Sequence, residues 1–436
     1  MFFYYLKLAL KRCRQNPATV VLLVLMMAVG IAAYMTAFAI FDALEGQPLP
    51  GISNHLYLVT MDAREIDSGD DSAYTQPDSL LKFRDAKALV DAHDATGQVA
   101  LAQSLSTVAN VDGSQSIDVN GLMAYGPALQ MLGVPLRFGR PWTVQEQADY
   151  TPVAVIDSKL ATRLFGTPDA VGHSVEIGNH RFRIIGVTAP WKPRTPFIDT
   201  GANEVAAHVR LFVPVGAALD AGMGPENSGE CDKNAAAVTF GSVNVQSCRW
   251  LEVWASLKTS DAVMAYQRFI ENYARAQHTA GRFIHLPHAK LYGTMAWMRL
   301  NQVVPRDIAL NAILAGAFLV LCMINVVGLL MARFLRQHAD VAIRRALGAS
   351  MRQVFAQHLV ESGLLGLMGG LLALPLTLLG MWIVRKQPVS YAPAVHFGVG
   401  VFVYLVLLSL VVGMLVGILP AWRVCRMPLA MQIKQD

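Results

Sequence analysis

The chain has 436 residues, of which 54% are hydrophobic and only 15% charged, against about 25% charged in an ordinary soluble domain. This balance excludes a single freely soluble enzyme. The formal net charge of +5 is mildly basic, and the placement of Lys and Arg says more than their sum.

Mean hydropathy is +0.38, and the apolar residues are gathered into four blocks, 18–41, 308–331, 359–384 and 397–419, with no charged side chain except Glu361. A helix rises about 1.5 Å per residue, so each block is long enough to cross a hydrocarbon layer of roughly 30 Å. The pattern predicts one membrane span, a large domain over 42–307, and three further spans. Lys7, Lys11, Arg12 and Arg14 precede the first block; Arg333, Arg336, Arg344, Arg345 and Arg352 separate the second from the third; Arg423, Arg426 and Lys434 follow the fourth. The positive-inside bias therefore makes 1–17, 332–358 and 420–436 cytoplasmic. The loop 385–396 and the large domain then face the other side, with both termini inside.

Segment 1–17 carries Phe2, Leu6, Ala9 and Cys13 on one helical face and Lys7, Lys11 and Arg14 on another. It reads either as an amphipathic helix along the inner surface or as a plain continuation of the first span. Ala37-Phe38-Ala39 fits a leader-peptide cleavage pattern, but the apolar run before it is too long and continues to Phe41, so a retained anchor is expected.

The external domain reads as mixed α/β. Strand patterns at 55–61 and 99–111 flank helix-spaced residues at 78–91, and a second such unit has a strand at 251–257, a helix over 261–276 and a closing strand at 283–286. Between them, about 117–250, lies a Gly- and Pro-rich insertion that is β-like except for 158–165, so two subdomains are expected. Residues 291–307 read as a stalk leading into the second span. Cys231 and Cys248 are the only cysteines predicted outside, in a compartment that permits oxidation, and a disulfide between them is predicted. Cys13, Cys322 and Cys425 lie in or near the membrane and cytoplasm. Leu286-Pro287 precludes a helical i, i+4 pair between His285 and His288, and with His173, His180 and His278 these form no expected metal site. No nucleophile elbow or triad context points to a catalyst.

The cytoplasmic loop reads as two helices with an elbow. Ile343 and Leu347 sit one turn apart, Gly348 is placed as a terminator, and Ser350 with Gln353 has capping-box spacing. The apolar tip Leu347-Gly348-Ala349 lies between Arg344, Arg345 and Arg352, which suits docking into a partner's groove; the alternative is that the arginines only meet lipid phosphates. Gly413 and Gly417 form G-x-x-x-G in the fourth span, and Gly363, Gly366 and Gly369 recur in the third, for helix packing within one subunit or across a dimer seam. Pro375 is expected to kink the third span. The spans show no intramembrane charged pair and little polar lining beyond Thr36, Asn325 and Thr377.

The run from Asp340 through Ser350 (Asp-Val-Ala-Ile-Arg-Arg-Ala-Leu-Gly-Ala-Ser), followed by Gln353-Val354-Phe355 and Glu361-Ser362-Gly363-Leu364-Leu365-Gly366, resembles the signature of the FtsX-like permeases. Pro420-Ala421-Trp422-Arg423 resembles their closing motif. In the domain, Val119-Asn120-Gly121, Leu132-Gly133-Val134-Pro135-Leu136, Leu164-Phe165-Gly166, Ala170-Val171-Gly172 and Phe182-Arg183-Ile184-Ile185-Gly186-Val187 resemble, in order, the motifs of the MacB periplasmic core domain.

The resemblance implies an α+β membrane protein: four transmembrane helices, 1 + 3, and a large periplasmic α/β domain of porter-like β-α-β halves with a β-rich inserted subdomain. It implies a permease subunit in a bacterial inner membrane, contacting lipid and no nucleic acid, and paired with a second copy or a sister permease. No G-x-x-x-x-G-K-[ST] occurs in the sequence, so this chain is expected to bind no cofactor and to catalyse nothing, with ATP and Mg held by a separate cytoplasmic ABC ATPase. In the family's mechanism, called mechanotransmission, that ATPase pushes on Ile343, Arg344, Arg345, Ala346, Leu347, Gly348, Ala349 and Ser350. The implied outcome is export of a periplasmic substrate with an adaptor and outer-membrane channel. The alternatives are an FtsX-type relay to a cell-wall hydrolase and a lipoprotein-releasing permease.

Overall fold

In a computed structural model, residues 8–9, 17–63, 78–178, 180–191, 193, 195, 197–198, 209–227, 231, 248–284, 288–301, 306–335, 350–387 and 398–426 are described. They divide into two compact units, one made of 1–45 and 304–436 and the other of 46–303.

The first helix, α1 (Pro17–Glu45), belongs to the first unit. The second unit is built on one sheet. Its strands are β1 (Leu56–Met61), β2 (Leu80–Leu81), β3 (Gly97–Asn110), β4 (Ser116–Tyr125), β5 (Leu136–Gly139), β6 (Val153–Asp157), β7 (Ser174–Ile177), β8 (His180–Thr188), β9 (Val209–Pro214), β10 (Leu251–Ser256) and β11 (Ala289–Gly293). The helices among them are α2 (Phe83–Asp91), α3 (Ala128–Met131), α4 (Val144–Ala148), α5 (Ser158–Phe165), α6 (Val215–Asp220), α7 (Ser260–Thr279) and α8 (Thr294–Leu300).

The strand order is β11-β1-β10-β3-β4-β9-β6-β8-β5, with β2 on β10 and β7 on β3 and β8. Because β10 is antiparallel to both β1 and β3, β1 and β3 run parallel, with α2 as their crossover. Likewise β1 is antiparallel to both β10 and β11, so β10-α7-β11 is a second β-α-β unit. The two units interleave in the manner of a split β-α-β fold.

Alternation along the strands explains why the sheet is covered on both faces. Val59 and Met61 of β1, Ala100 and Ala102 of β3, and Val253 and Ala255 of β10 enter one core with Leu89 of α2 and Tyr266 and Ile270 of α7. Their neighbours Leu58, Val99, Leu101 and Trp254 enter a second core with Leu129 of α3 and Trp297 of α8. Side chains at successive positions point to opposite faces, so one strand feeds two cores. The same holds in the insertion, where Ala154 and Ile156 join the first core and Val153 and Val155 the second.

The insertion continues the same sheet, β3 pairing with β4 from Ala100 opposite Tyr125 to Ala109 opposite Ser116. Two expectations are corrected here. The helix expected over 78–91 is preceded by β2 at Leu80–Leu81 and starts only at Phe83. The closing strand is β11 rather than 283–286, so residues 291–293, read as the start of a stalk, instead pair with β1. The next stretch is α8, whose Trp297 and Met298 are buried in the second core of the same unit; an apolar run that resembled a stalk is core. The helix expected at 158–165 is α5, with Asp157 accepting from the Leu160 N–H as its cap and Gly166 closing it at φ +73°.

The first unit also contains α9 (Arg306–Leu335), α10 (Met351–Lys386) and α11 (Val399–Arg426). With α1, these are four helices long and apolar enough to cross a membrane. Leu310, Ile313, Leu314, Leu321 and Ile324 form an exposed stripe on α9, an arrangement that costs free energy in water and none in lipid. Helix α10 runs on through Pro375, and α11 through Pro420. Segment 1–17 is outside the described residues apart from Leu8, Ala9 and Pro17.

Candidate coupling site

The loop singled out by sequence falls almost wholly outside the described residues: Ile343, Arg344, Arg345, Ala346, Leu347, Gly348 and Ala349 are among those not described. Its two roots are. On one side α9 ends at Leu335. On the other, Ser350 caps α10: its hydroxyl accepts from the Gln353 N–H at 3.3 Å, and the Gln353 side chain accepts from the Ser350 N–H at 3.0 Å. This reciprocal pair satisfies donors that the first turn would otherwise leave open.

Just above the roots lies a buried ion pair that sequence reasoning did not anticipate. Arg333 Nη2 donates to Glu361 Oε1 at 3.0 Å, with the two side chains 5% and 1% exposed. His358 Nδ1 is 3.8 Å from Glu361 Oε2, and the His358 ring packs on Phe334 at 4.3 Å between centroids. The spans as read from the sequence, 308–331 and 359–384, hold only Glu361 of this pair. Arg333 stands just past the charge-free block 308–331, yet its helix continues to Leu335. A lone Arg near a membrane surface extends to the headgroups; this one turns inward because Glu361, itself costly to bury unpaired, faces it from α10.

The glycines lie at helix crossings. A Cβ on Gly366 of α10 would fall 2.6 Å from the Gly413 Cα of α11, and one on Gly413 would fall 2.7 Å from the Gly366 Cα. A Cβ on Gly417 would meet Ser362 Oγ at 1.9 Å, and one on Gly369 would meet Met27 Cβ of α1 at 2.9 Å. Gly363 has room, its nearest neighbours being Leu410 and Met414 at 3.8 Å. Sequence reasoning passed over Gly370, packed against Ser409, and Gly380, packed against Thr36; the doublet Gly369-Gly370 was the available signal. A cavity of about 440 Å³ lies between α1, α9 and α10, lined by apolar residues such as Val29, Ala33, Ile308 and Leu376, with Thr36 and Asn311 as its polar side chains.

In the other unit Cys231 and Cys248 are joined as a disulfide, next to the buried Arg249, which pairs with Asp78. Of the histidines there, His278 Nδ1 bonds the Phe283 carbonyl and His173 packs on Phe165. No group of three or more His, Cys, Asp or Glu side chains is placed to hold a metal among the described residues.

Two family models match in tandem. The MacB-like periplasmic core domain covers residues 20–265, and the FtsX-like permease C-terminal domain covers 312–429. The chain belongs to the MacB/FtsX-like ABC transporter permeases. Within this family the four apolar helices are the transmembrane component. The chain is 23% identical over 431 residues to the "Macrolide export ATP-binding/permease protein MacB" of Azoarcus sp. (strain BH72), covering 96% of this chain and 57% of that protein. It is 23% identical over 302 residues to the "Pyoverdine export ATP-binding/permease protein PvdT" of Pseudomonas aeruginosa, covering 68% of this chain and 39% of that protein. The chain thus spans less than two thirds of the length of these curated relatives. The crystal structure of the periplasmic region of MacB from Actinobacillus actinomycetemcomitans aligns with 59% of this chain and 96% of that one, at 15% identity and a TM-score of 0.37.

Proposed function

We propose that this permease transmits ATP-driven motion from a separate cytoplasmic ATPase to the domain 46–303, and so drives export of a periplasmic substrate in a tripartite-type system. In this reading the chain lies in a bacterial inner membrane with both termini in the cytoplasm. It works as a dimer with a second copy or a sister permease, and an adaptor and outer-membrane channel complete the path. The ATPase holds ATP and Mg, and the elbow 343–350 docks on it.

The observation that carries the reading is the tandem match, a MacB-like core followed by an FtsX-like domain. The physical support is at the loop's roots. A push on the loop moves helices only if its roots are firmly seated, and the capped start of α10 together with the Arg333–Glu361 pair seats them. The domain has a continuous sheet with two cores, which suits a body moved as a whole.

The test is hydrolysis by an ABC ATPase that co-purifies with this chain, with and without the purified permease in lipid nanodiscs. Stimulation by the native chain, and its loss when Arg344, Arg345 and Leu347 are replaced together in a folded protein, are the expected results. Unchanged stimulation by that triple variant counts against the elbow. A cell-wall hydrolase recruited in place of an adaptor would instead make the chain a signal relay.

A further inference from the structure

Helix α10 has 36 residues, about 54 Å at 1.5 Å per residue, far more than the roughly 30 Å needed to cross the hydrocarbon layer. The excess lies partly at its start. Glu361 is about 15 Å along the helix from Met351, whereas Arg333 stands in the last turn of α9. The pair therefore joins the end of one helix to a point well inside the other, leaving 351–360 as an arm between the loop and the paired level. The arm carries its own contacts at that level: His358, fully buried, lies against Phe334 and beside Glu361.

Deepening the relay reading, on which it rests, we infer that the Arg333–Glu361 pair is the fulcrum of the coupling lever. Arg333 and Glu361 are positioning residues: they fix the point on α9 about which the arm 351–360 turns when the loop is pushed. A buried ion pair is poor value as a source of stability, because an apolar pair of similar volume often does as well. What it supplies is direction. A charge-assisted hydrogen bond holds one geometry, and apolar side chains at the same crossing slide over one another. The surroundings fit that role, since Phe334, which packs on His358, and Val354 of the arm belong to the apolar core of the helices.

The experiment places spin labels on Ala332 and Met351, both exposed, in the full chain with Cys13, Cys322 and Cys425 replaced by serine. The chain is reconstituted in nanodiscs of phosphatidylethanolamine and phosphatidylglycerol. The native pair is expected to give a narrow distance distribution. Glu361→Gln, and the apolar double variant Arg333→Met with Glu361→Leu, are expected to broaden it at least twofold. The double variant is expected to melt within a few degrees of the native protein, which separates a positional role from a merely structural one. A double variant that is folded and retains the native width overturns the inference. Because this readout uses no ATPase, it stands apart from the hydrolysis test: loss of the relay reading there leaves the fulcrum measurement intact, and the converse also holds.

Discussion

Gly366 of α10 and Gly413 of α11 meet backbone to backbone. A Cβ added to Gly366 would lie 2.5 Å from the Ser409 carbonyl oxygen and 2.6 Å from the Gly413 Cα; one added to Gly413 would lie 2.8 Å from the Ser362 carbonyl oxygen. Backbone atoms cannot rotate away, so any side chain must separate the helices. In lipid there is no hydrophobic drive to close them again, and close packing carries the association. Gly366→Leu or Gly413→Leu is expected to cost about 1–3 kcal/mol or more and to lower the melting temperature of the reconstituted chain. Gly363→Ala, with 3.8 Å to its neighbours, is expected to change it little. Equal effects at Gly363 and Gly366 would show that the seam is not set by this contact.

How much of this was readable in sequence depended on whether the signal was local. The four spans are runs of consecutive residues, and the cap at Ser350 rests on Gln353 three positions away, so both were legible. The strand β3 and helix α5 have periodic patterns and a terminator at Gly166. By contrast, Arg333 and Glu361 are partners across two helices. Arg333 read as one of the cytoplasmic loop charges and Glu361 as the one charge in the block 359–384, and no periodicity reports that the two meet. The same limit hid β11. Leu291, Trp297 and Met298 looked like the start of a greasy stalk because their burial comes from β1 and the second core, which no local pattern shows.

The disulfide between Cys231 and Cys248 closes a loop with a sequence separation of 17. On the chain-entropy model a loop of that size is worth about 3 kcal/mol. Reduction is expected to lower the melting temperature by on the order of 10 °C if the domain unfolds as one unit, and Cys231→Ser with Cys248→Ser should reproduce the shift under oxidising conditions. The measurement is thermal unfolding with and without reductant, followed by tryptophan fluorescence. Trp250 is buried two residues beyond Cys248 and reports locally. An unchanged melting temperature on full reduction would show that the loop's closure does not matter to the domain.

Glu146 gives a pH dependence with a definite sign. Arg140 donates to both its carboxylate oxygens at 2.7 Å, and the Thr143 N–H donates at 2.8 Å within the capping box of α4. The Arg140 hydrogen bonds lower its pKa most, followed against the opposing burial by the Thr143 N–H, and bring it from the usual 4.5 to about 2. A depressed carboxyl stabilises the folded state above pH 4.5, and that contribution is lost as pH falls from there through about 2. Arg140 is half exposed, so solvent screening limits the pair to about 1 kcal/mol. Arg140→Ala is expected to raise the Glu146 pKa and to flatten the acid limb of the stability curve between pH 4.5 and 2. An identical acid limb in the variant would assign the loss to other carboxylates.

Asp85 ties two helices on one face of the sheet. It stands in the first turn of α2, where the helix dipole favours a negative charge. It accepts from Arg282 Nη2 at 2.5 Å, just beyond α7, and from the Tyr273 hydroxyl at 2.7 Å within α7. Burial, then the Asp85 charge, push the Tyr273 hydroxyl up from its ordinary pKa, so it remains a neutral donor at any working pH. Asp85 is fully buried, and removing one member of a buried charged group strands the rest. Because Arg282 keeps a quarter of its side chain exposed, Asp85→Ala is expected to destabilise the chain by about 1–3 kcal/mol, read as a fall in its melting temperature. The double variant Asp85→Leu with Arg282→Met removes both charges and is expected to recover most of that loss. If the double variant is no more stable than Asp85→Ala, the cluster acts through packing rather than through charge, and the link between α2 and α7 must be sought in Leu89, Tyr266 and Ile270 of the first core.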